Sequence, residues 1–196
     1  MKVVVVTGGI GSGKSLVCAM LAERGVRTYD SDTAAKRLYD TDAQLLASVV
    51  DMFGTGVLDK DGKLDRKALG AIVFSDPEKL SKLEALVHPA VFRDFASWKA
   101  GFGEDGFVVY ESAIALEKGL PDGFADEIVY VDAPVEERVA RACARDGRSK
   151  TDTEARVRAQ ASSKSDPRIT YLIENNATVR DLEEKVAALY DKLIRK

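Results

Sequence analysis

The chain opens on an unbroken β-branched run, Val3-Val4-Val5-Val6, the pattern of a strand buried on both faces of a parallel sheet. Glycines at 8, 9, 11 and 13 interrupt it, and apolar positions at Leu16, Val17, Met20 and Leu21 predict a helix ending near Gly25. Val26 to Tyr29 reads as a second short strand running into Asp30-Ser31-Asp32. From Thr33 to about Ala100 strand signals fade. Leu38, Leu45-Leu46, Val49-Val50, Leu69, Ile72-Val73, Leu80, Leu83 and Leu86-Val87 there predict several helices. One of them starts at a capping box, Ser75-Asp76-Pro77-Glu78, with Ser75 as N-cap.

Strand patterns return at Phe107 to Tyr110 and Ile128 to Val131, and Pro134 opens a helix running to about Arg145. Between Arg145 and Arg168 the only large aliphatic is Val157, so this segment is expected to be exposed or mobile. A last strand around Thr170 to Ile173 and a helix from Thr178, with Leu182, Val186, Leu189 and Leu193 at helical spacing, complete the pattern. Strands alternating with helices predict an α/β fold, a parallel five-stranded sheet flanked by helices, with a helical insertion between its second and third strands.

A length of 196 residues, 45% of them hydrophobic, fits one globular domain and argues against global disorder. With 29 basic and 32 acidic residues the formal charge is −3, which argues against coating nucleic acid by bulk charge. Cys18 and Cys143 lie far apart, without metal-ligand or disulfide-framework spacing, and read as packing residues. No apolar run is long enough for a signal-peptide core or a membrane span, so a cytoplasmic protein is expected.

Gly8-Gly9-Ile10-Gly11-Ser12-Gly13-Lys14-Ser15 satisfies G-x-x-x-x-G-K-[ST], the phosphate-binding loop, between a strand and a helix. Its glycines let backbone N–H groups turn inward around phosphate oxygens, where the helix dipole adds positive potential. Direct nucleotide contacts are expected from Gly11, Ser12, Gly13, Lys14, Ser15 and Leu16. Lys14 would place its ammonium between the terminal phosphates, and the Ser15 hydroxyl is a natural Mg²⁺ ligand. A dinucleotide fingerprint fails on spacing, because Lys14 and Leu16 stand where its third glycine belongs.

Asp32 lies at the sheet edge where open parallel sheets bind ligands, so its carboxylate could take a proton from an acceptor hydroxyl; equally, Asp30 or Asp32 could cap a helix starting near Thr33. Arg141 and Arg145, four apart on one helix face, could stack on adenine or neutralise the transferring phosphoryl group, or be solvated beside Glu136 and Glu137. His88, the only histidine, precedes Pro89 and reads as a helix-boundary residue. Asp132 is a candidate for a second Mg²⁺-linked carboxylate, or simply shapes a turn.

Beyond the loop, Asp30-Ser31-Asp32, Leu64-Asp65-Arg66, Val73-Phe74, His88-Pro89, Ala133-Pro134 with Arg138, Arg141 and Arg145, Gln160 and Ile173-Glu174-Asn175-Asn176 occur in an order that resembles the dephospho-CoA kinases. These enzymes phosphorylate the ribose 3′-hydroxyl of dephospho-CoA with ATP. The resemblance implies a P-loop NTPase fold divided into a core (1–32, 101–143, 169–196), a helical CoA-binding subdomain (33–100) and a lid (144–168). It implies Asp32, Lys14 and Arg141 as catalytic residues, Arg141 and Arg145 as ATP contacts, and Asp32, Arg66 and His88 as substrate contacts. Mg²⁺ at Ser15 is the implied cofactor and ATP and dephospho-CoA the implied partners, with neither nucleic acid nor membrane; oligomeric state is left open. Glu111 and Ala177 depart from the usual pattern, which often has an apolar-proline run after the third strand and a glycine after the Asn pair. Another small-molecule or nucleoside monophosphate kinase of this fold, and a nucleotide-dependent binding switch, are the rival readings.

From Arg138 to Arg168 nine basic residues face four acidic ones, a local balance of +5 that leaves −8 on the rest of the chain. Such an asymmetry suits gripping a polyphosphate.

Overall fold

The computed structural model describes residues 1–147, 149–160 and 164–195. They fall into two compact units, Met1–Asp30 with Gly103–Lys196, and Ser31–Phe102.

The first unit is built on a five-stranded parallel sheet of β1 (Lys2–Gly8), β2 (Arg27–Asp30), β3 (Phe107–Glu111), β4 (Glu127–Asp132) and β5 (Tyr171–Glu174), in the order β2-β3-β1-β4-β5. Strand β1 is central: Val4 pairs with Val109 of β3 and Val6 with Val129 of β4. Val4, Val5 and Val6 are fully buried, as the β-branched run requires. Helices α1 (Lys14–Ala22) and α9 (Val179–Arg195) close one core, where Val17 and Leu21 meet Leu182, Val186 and Leu189 around Val4 and Val6. Tyr110 of β3 stacks on Tyr29 of β2 at 5.7 Å and meets Phe124 edge-on at 5.0 Å. A short α6 (Ala115–Lys118) follows β3.

Helix α7 (Val135–Asp146) begins after Pro134, as expected, and packs against α8 (Lys150–Ala159). The described part of the segment expected to be exposed or mobile is therefore partly ordered by packing: Val157 and Thr153 are buried, and Ser149 caps α8 by accepting from Asp152 N–H at 3.1 Å. One aliphatic and one threonine suffice because α7 supplies the opposing face. Arg148 and residues 161–163 of the expected lid lie outside the described residues. Arg168 anchors the return to β5, donating to the Leu116 carbonyl at 2.9 Å and to Asp166 at 2.7 Å.

The second unit is helical, with α2 (Ser31–Thr41), α3 (Ala43–Phe53), a 3₁₀ turn (Thr55–Val57), α4 (Arg66–Val73) and α5 (Pro77–Ala100). Aspartates cap three of these helices. Asp42, Asp65 and Asp76 each accept two backbone N–H groups of the following turn. The cap of α5 is thus Asp76 and not Ser75, whose hydroxyl instead donates back to Ala71 and Ile72 carbonyls at 3.1 Å. A carboxylate one residue closer to Pro77 at the first helical position is the better acceptor. His88-Pro89 marks no boundary either. Pro89 sits inside the 24-residue α5, whose flanks are held by buried Leu83, Val87, Val91 and Phe95.

Hydrogen bonds from the Arg168 side chain, and then its backbone N–H, push the Asp166 carboxyl down to about 2. Because the folded value lies below the unfolded one, the pair stabilises the fold above about pH 4 and that contribution is lost as pH falls towards 2. Urea unfolding of the native chain and Asp166→Asn across this range should show the native chain's advantage at neutral pH shrinking to nothing by about pH 2.

Candidate active site

At the C-terminal edge of the sheet, β1 releases the chain at Gly8 and α1 takes it up at Lys14. Gly13 lies at φ 100°, in the left-handed region, and a Cβ there would collide with the Asn175 side-chain amide. That amide donates to the Ser12 carbonyl at 2.8 Å, and Asn175 N–H donates to the Asp132 carbonyl at 2.7 Å, so the loop following β5 braces the phosphate-binding loop. Within the loop, Ser12 N–H donates to Gly9 and Leu16 N–H to Gly13, both at 3.1 Å. Two of the six expected backbone donors are therefore engaged internally, while the first turn of α1 leaves N–H groups outside its ladder. Lys14 Nζ donates to the Gly9 carbonyl at 3.1 Å.

Arg141, Arg145 and Asn175 join Gly11, Gly13 and Lys14 around a cleft of about 300 Å³, which Ser15, Leu16, Ala177 and Val179 complete. Both expected arginines are thus brought to the loop. Arg141 binds Glu137 at 2.5 Å and reaches the Asn175 carbonyl at 3.3 Å, and Arg145 binds Asp146 at 2.7 Å. The Ser12 hydroxyl is buried with no hydrogen-bond partner among the described residues. An orphaned hydroxyl in a cradle of glycines fits an anionic ligand that would satisfy it.

Ser15 Oγ donates to Glu111 Oε1 at 2.6 Å. The hydroxyl and the carboxylate are both hard oxygen donors, the chemistry a divalent cation such as Mg²⁺ takes. No local sequence signal marks Glu111, because its place beside the loop depends on β3 pairing with β1. Asp132 instead binds Lys164 Nζ at 2.9 Å, which also takes Glu174 at 3.1 Å. The missed signal was a carboxylate closing the strand beside β1, since register pairs Glu111 with Val6 just before the loop. Beneath it, burial and then the charge of Glu111 push the Cys18 thiol up, so Cys18 is a protonated packing group.

Asp32, Arg66 and His88 all belong to the helical unit. Asp32 lies in the first turn of α2 and not at the end of β2, because the helix starts at Ser31. Arg66 donates to Asp40 at 2.6 Å and to the Lys36 carbonyl at 2.9 Å, and half-buried His88 sits on α5.

The family model for dephospho-CoA kinase matches residues 2–181. The chain belongs to the dephospho-CoA kinase family. Curated dephospho-CoA kinases from Thermobifida fusca and Chlorobaculum tepidum are 38% and 41% identical over 191 and 196 residues, covering 97% and 96% of this chain and 95% and 93% of theirs. A crystal structure from Thermus thermophilus superposes with a TM-score of 0.83 at 37% identity, covering 98% of this chain and 97% of that one. A shikimate kinase from Acinetobacter baumannii, 21% identical at a TM-score of 0.51 and covering 98% and 94% of the two chains, shares the P-loop kinase fold alone. The five-stranded parallel sheet is thus that of a P-loop kinase, and its phosphate loop that of an enzyme family that uses ATP and a divalent metal. Among the described residues no helix is long and apolar enough to cross a membrane.

Gly13→Ala would force a Cβ into the Asn175 amide at a left-handed φ. It should abolish detectable nucleotide binding in calorimetric titration while far-ultraviolet circular dichroism keeps the native α/β spectrum.

Proposed function

We propose that this chain transfers the γ-phosphoryl group of ATP to the ribose 3′-hydroxyl of dephospho-CoA, giving coenzyme A and ADP. The observation that carries this reading is the braced phosphate loop with Ser15 on Glu111, in a chain that aligns with the dephospho-CoA kinases along almost its whole length. The 3′-oxygen attacks the γ-phosphorus, the bond to the β–γ bridging oxygen breaks, and the hydroxyl proton passes to Asp32 as general base. Lys14 holds the terminal phosphates, and backbone N–H groups of the loop with the Ser12 hydroxyl receive their oxygens. Arg141 and Arg145 contact ATP at the cleft they already line, with Arg141 placed to offset charge on the moving group. Ser15 and Glu111 would hold Mg²⁺, which when bound neutralises charge on the phosphates.

In the same reading residues 33–100 form the CoA-binding subdomain, with Arg66 and His88 as substrate contacts. Residues 144–168 act as the lid that excludes water, so that the hydroxyl is phosphorylated and ATP is not hydrolysed. Cytoplasmic residence suits a reaction whose co-substrate is ATP.

An ADP-release assay with Mg²⁺, ATP and dephospho-CoA, shikimate or a nucleoside monophosphate should show turnover with dephospho-CoA. Turnover with another acceptor only, or acceptor-independent hydrolysis untouched by Asp32→Asn, would replace this reading. Asp32→Asn should lower kcat by roughly 10²–10⁴-fold with the ATP KM little changed.

A further inference from the structure

Arg138 of α7 is only 7% exposed, and its hydrogen bonds go to neutral acceptors. Its Nε donates to the Ile10 carbonyl at 3.0 Å and its Nη2 to Gln160 Oε1 at 3.4 Å. The same Oε1 accepts the Ile10 N–H at 2.7 Å, and Gln160 Nε2 donates to the Ala113 carbonyl at 3.3 Å. The two peptide groups flanking Ile10 in the phosphate loop are therefore both held, the Ile10 carbonyl by Arg138 and the Ile10 N–H by the residue that closes α8. A Cβ on Gly9 would collide with the guanidinium and one on Gly11 with the Arg138 carbonyl, so no side chain separates this cation from the loop backbone.

Among the described residues no carboxylate pairs with Arg138. Its neighbours behave otherwise: Arg141 takes Glu137, Arg145 takes Asp146, and both pairs are reached by solvent. A buried charge without a counter-ion is costly, and is stabilised when a ligand brings the opposite charge.

Resting on the ATP reading above, we propose that Arg138 is a positioning cation for the phosphate loop. It fixes the Ile10 backbone and lends uncompensated positive charge to the bound polyphosphate, while Gln160, an amide that also donates to the Ala113 carbonyl, holds it without neutralising it. The closing of α8 at Gln160 is thereby tied to the loop residue that precedes Gly11.

The test uses the full chain and measures the Kd of ATP with Mg²⁺ by calorimetry, alongside steady-state rates. Arg138→Met should weaken ATP binding by roughly tenfold or more while the KM of dephospho-CoA stays within about twofold. Arg138→Lys, which keeps the charge, should recover most of that loss. Gln160→Glu keeps the two hydrogen bonds accepted at Oε1, neutralises the cation and gives up the bond donated to the Ala113 carbonyl, so it should weaken ATP binding by a similar factor, whereas Gln160→Met, which loses that donation without adding a negative charge, should weaken it less. A Gln160→Glu variant that binds ATP as tightly as the native chain, or an Arg138→Lys variant as weak as Arg138→Met, overturns the proposal, and the first remains readable if Arg138→Met does not fold. A native chain that binds ATP but leaves dephospho-CoA unphosphorylated would defeat the assigned reaction without touching this inference.

Discussion

Everything at the site hangs on the burial of β1 between β3 and β4. A strand paired on both sides and covered on both faces has no freedom at its C-terminal end, so Gly8 leaves the sheet in one direction. The five residues that follow, 9–13, then reach α1 through turns that an ordinary side chain would obstruct. At Gly13 the obstruction is the Asn175 amide; at Gly9 and Gly11 it is Arg138. The loop is therefore shaped from outside, by α7 and by the end of β5, as much as by its own glycines.

The parallel register carries the second consequence. Pairing Val6 with Glu111 puts a carboxylate beside the strand residue that precedes the loop, and the first turn of α1 brings Ser15 to it at 2.6 Å. The hydroxyl comes from α1 and the carboxylate from the end of β3, and they meet only because β3 neighbours β1. One turn further along α1, the same carboxylate helps burial keep Cys18 protonated. A nucleophilic thiolate is thus avoided one turn along α1 from Ser15.

The sheet, the phosphate loop and the final helix were legible because their signals are local: a β-branched run, a fixed glycine spacing, a leucine period. What escaped depends on neighbours. Glu111 could be assigned only once strand order placed β3 beside β1, whereas Asp132, on the other flank of β1, turned out to face Lys164. Ser75 satisfied a capping pattern that Asp76 satisfies better, and the difference lies in which oxygen reaches the N–H groups of Glu78 and Lys79. Pro89 reads as a helix end by its own chemistry, yet packing on both sides of it holds α5 together. The polar stretch after Arg145 has little to bury by itself, and its helix α8 is ordered by packing against α7.

The count of +5 between Arg138 and Arg168 overstates the field that a polyphosphate would meet. Arg141, Arg145, Lys150, Lys164 and Arg168 are each within reach of a carboxylate. Exposed pairs of this kind are worth about 0–1 kcal/mol, so an incoming phosphate can exchange partners with Arg141 or Arg145 at little cost. In the proposed reaction those residues would grip and release the phosphates. Arg138 differs in kind, because it is buried, is held by neutral groups and touches the loop backbone directly. Among the described residues the same basic segment thus holds surface cations paired with carboxylates and one fixed interior cation, and charge counting alone cannot separate them.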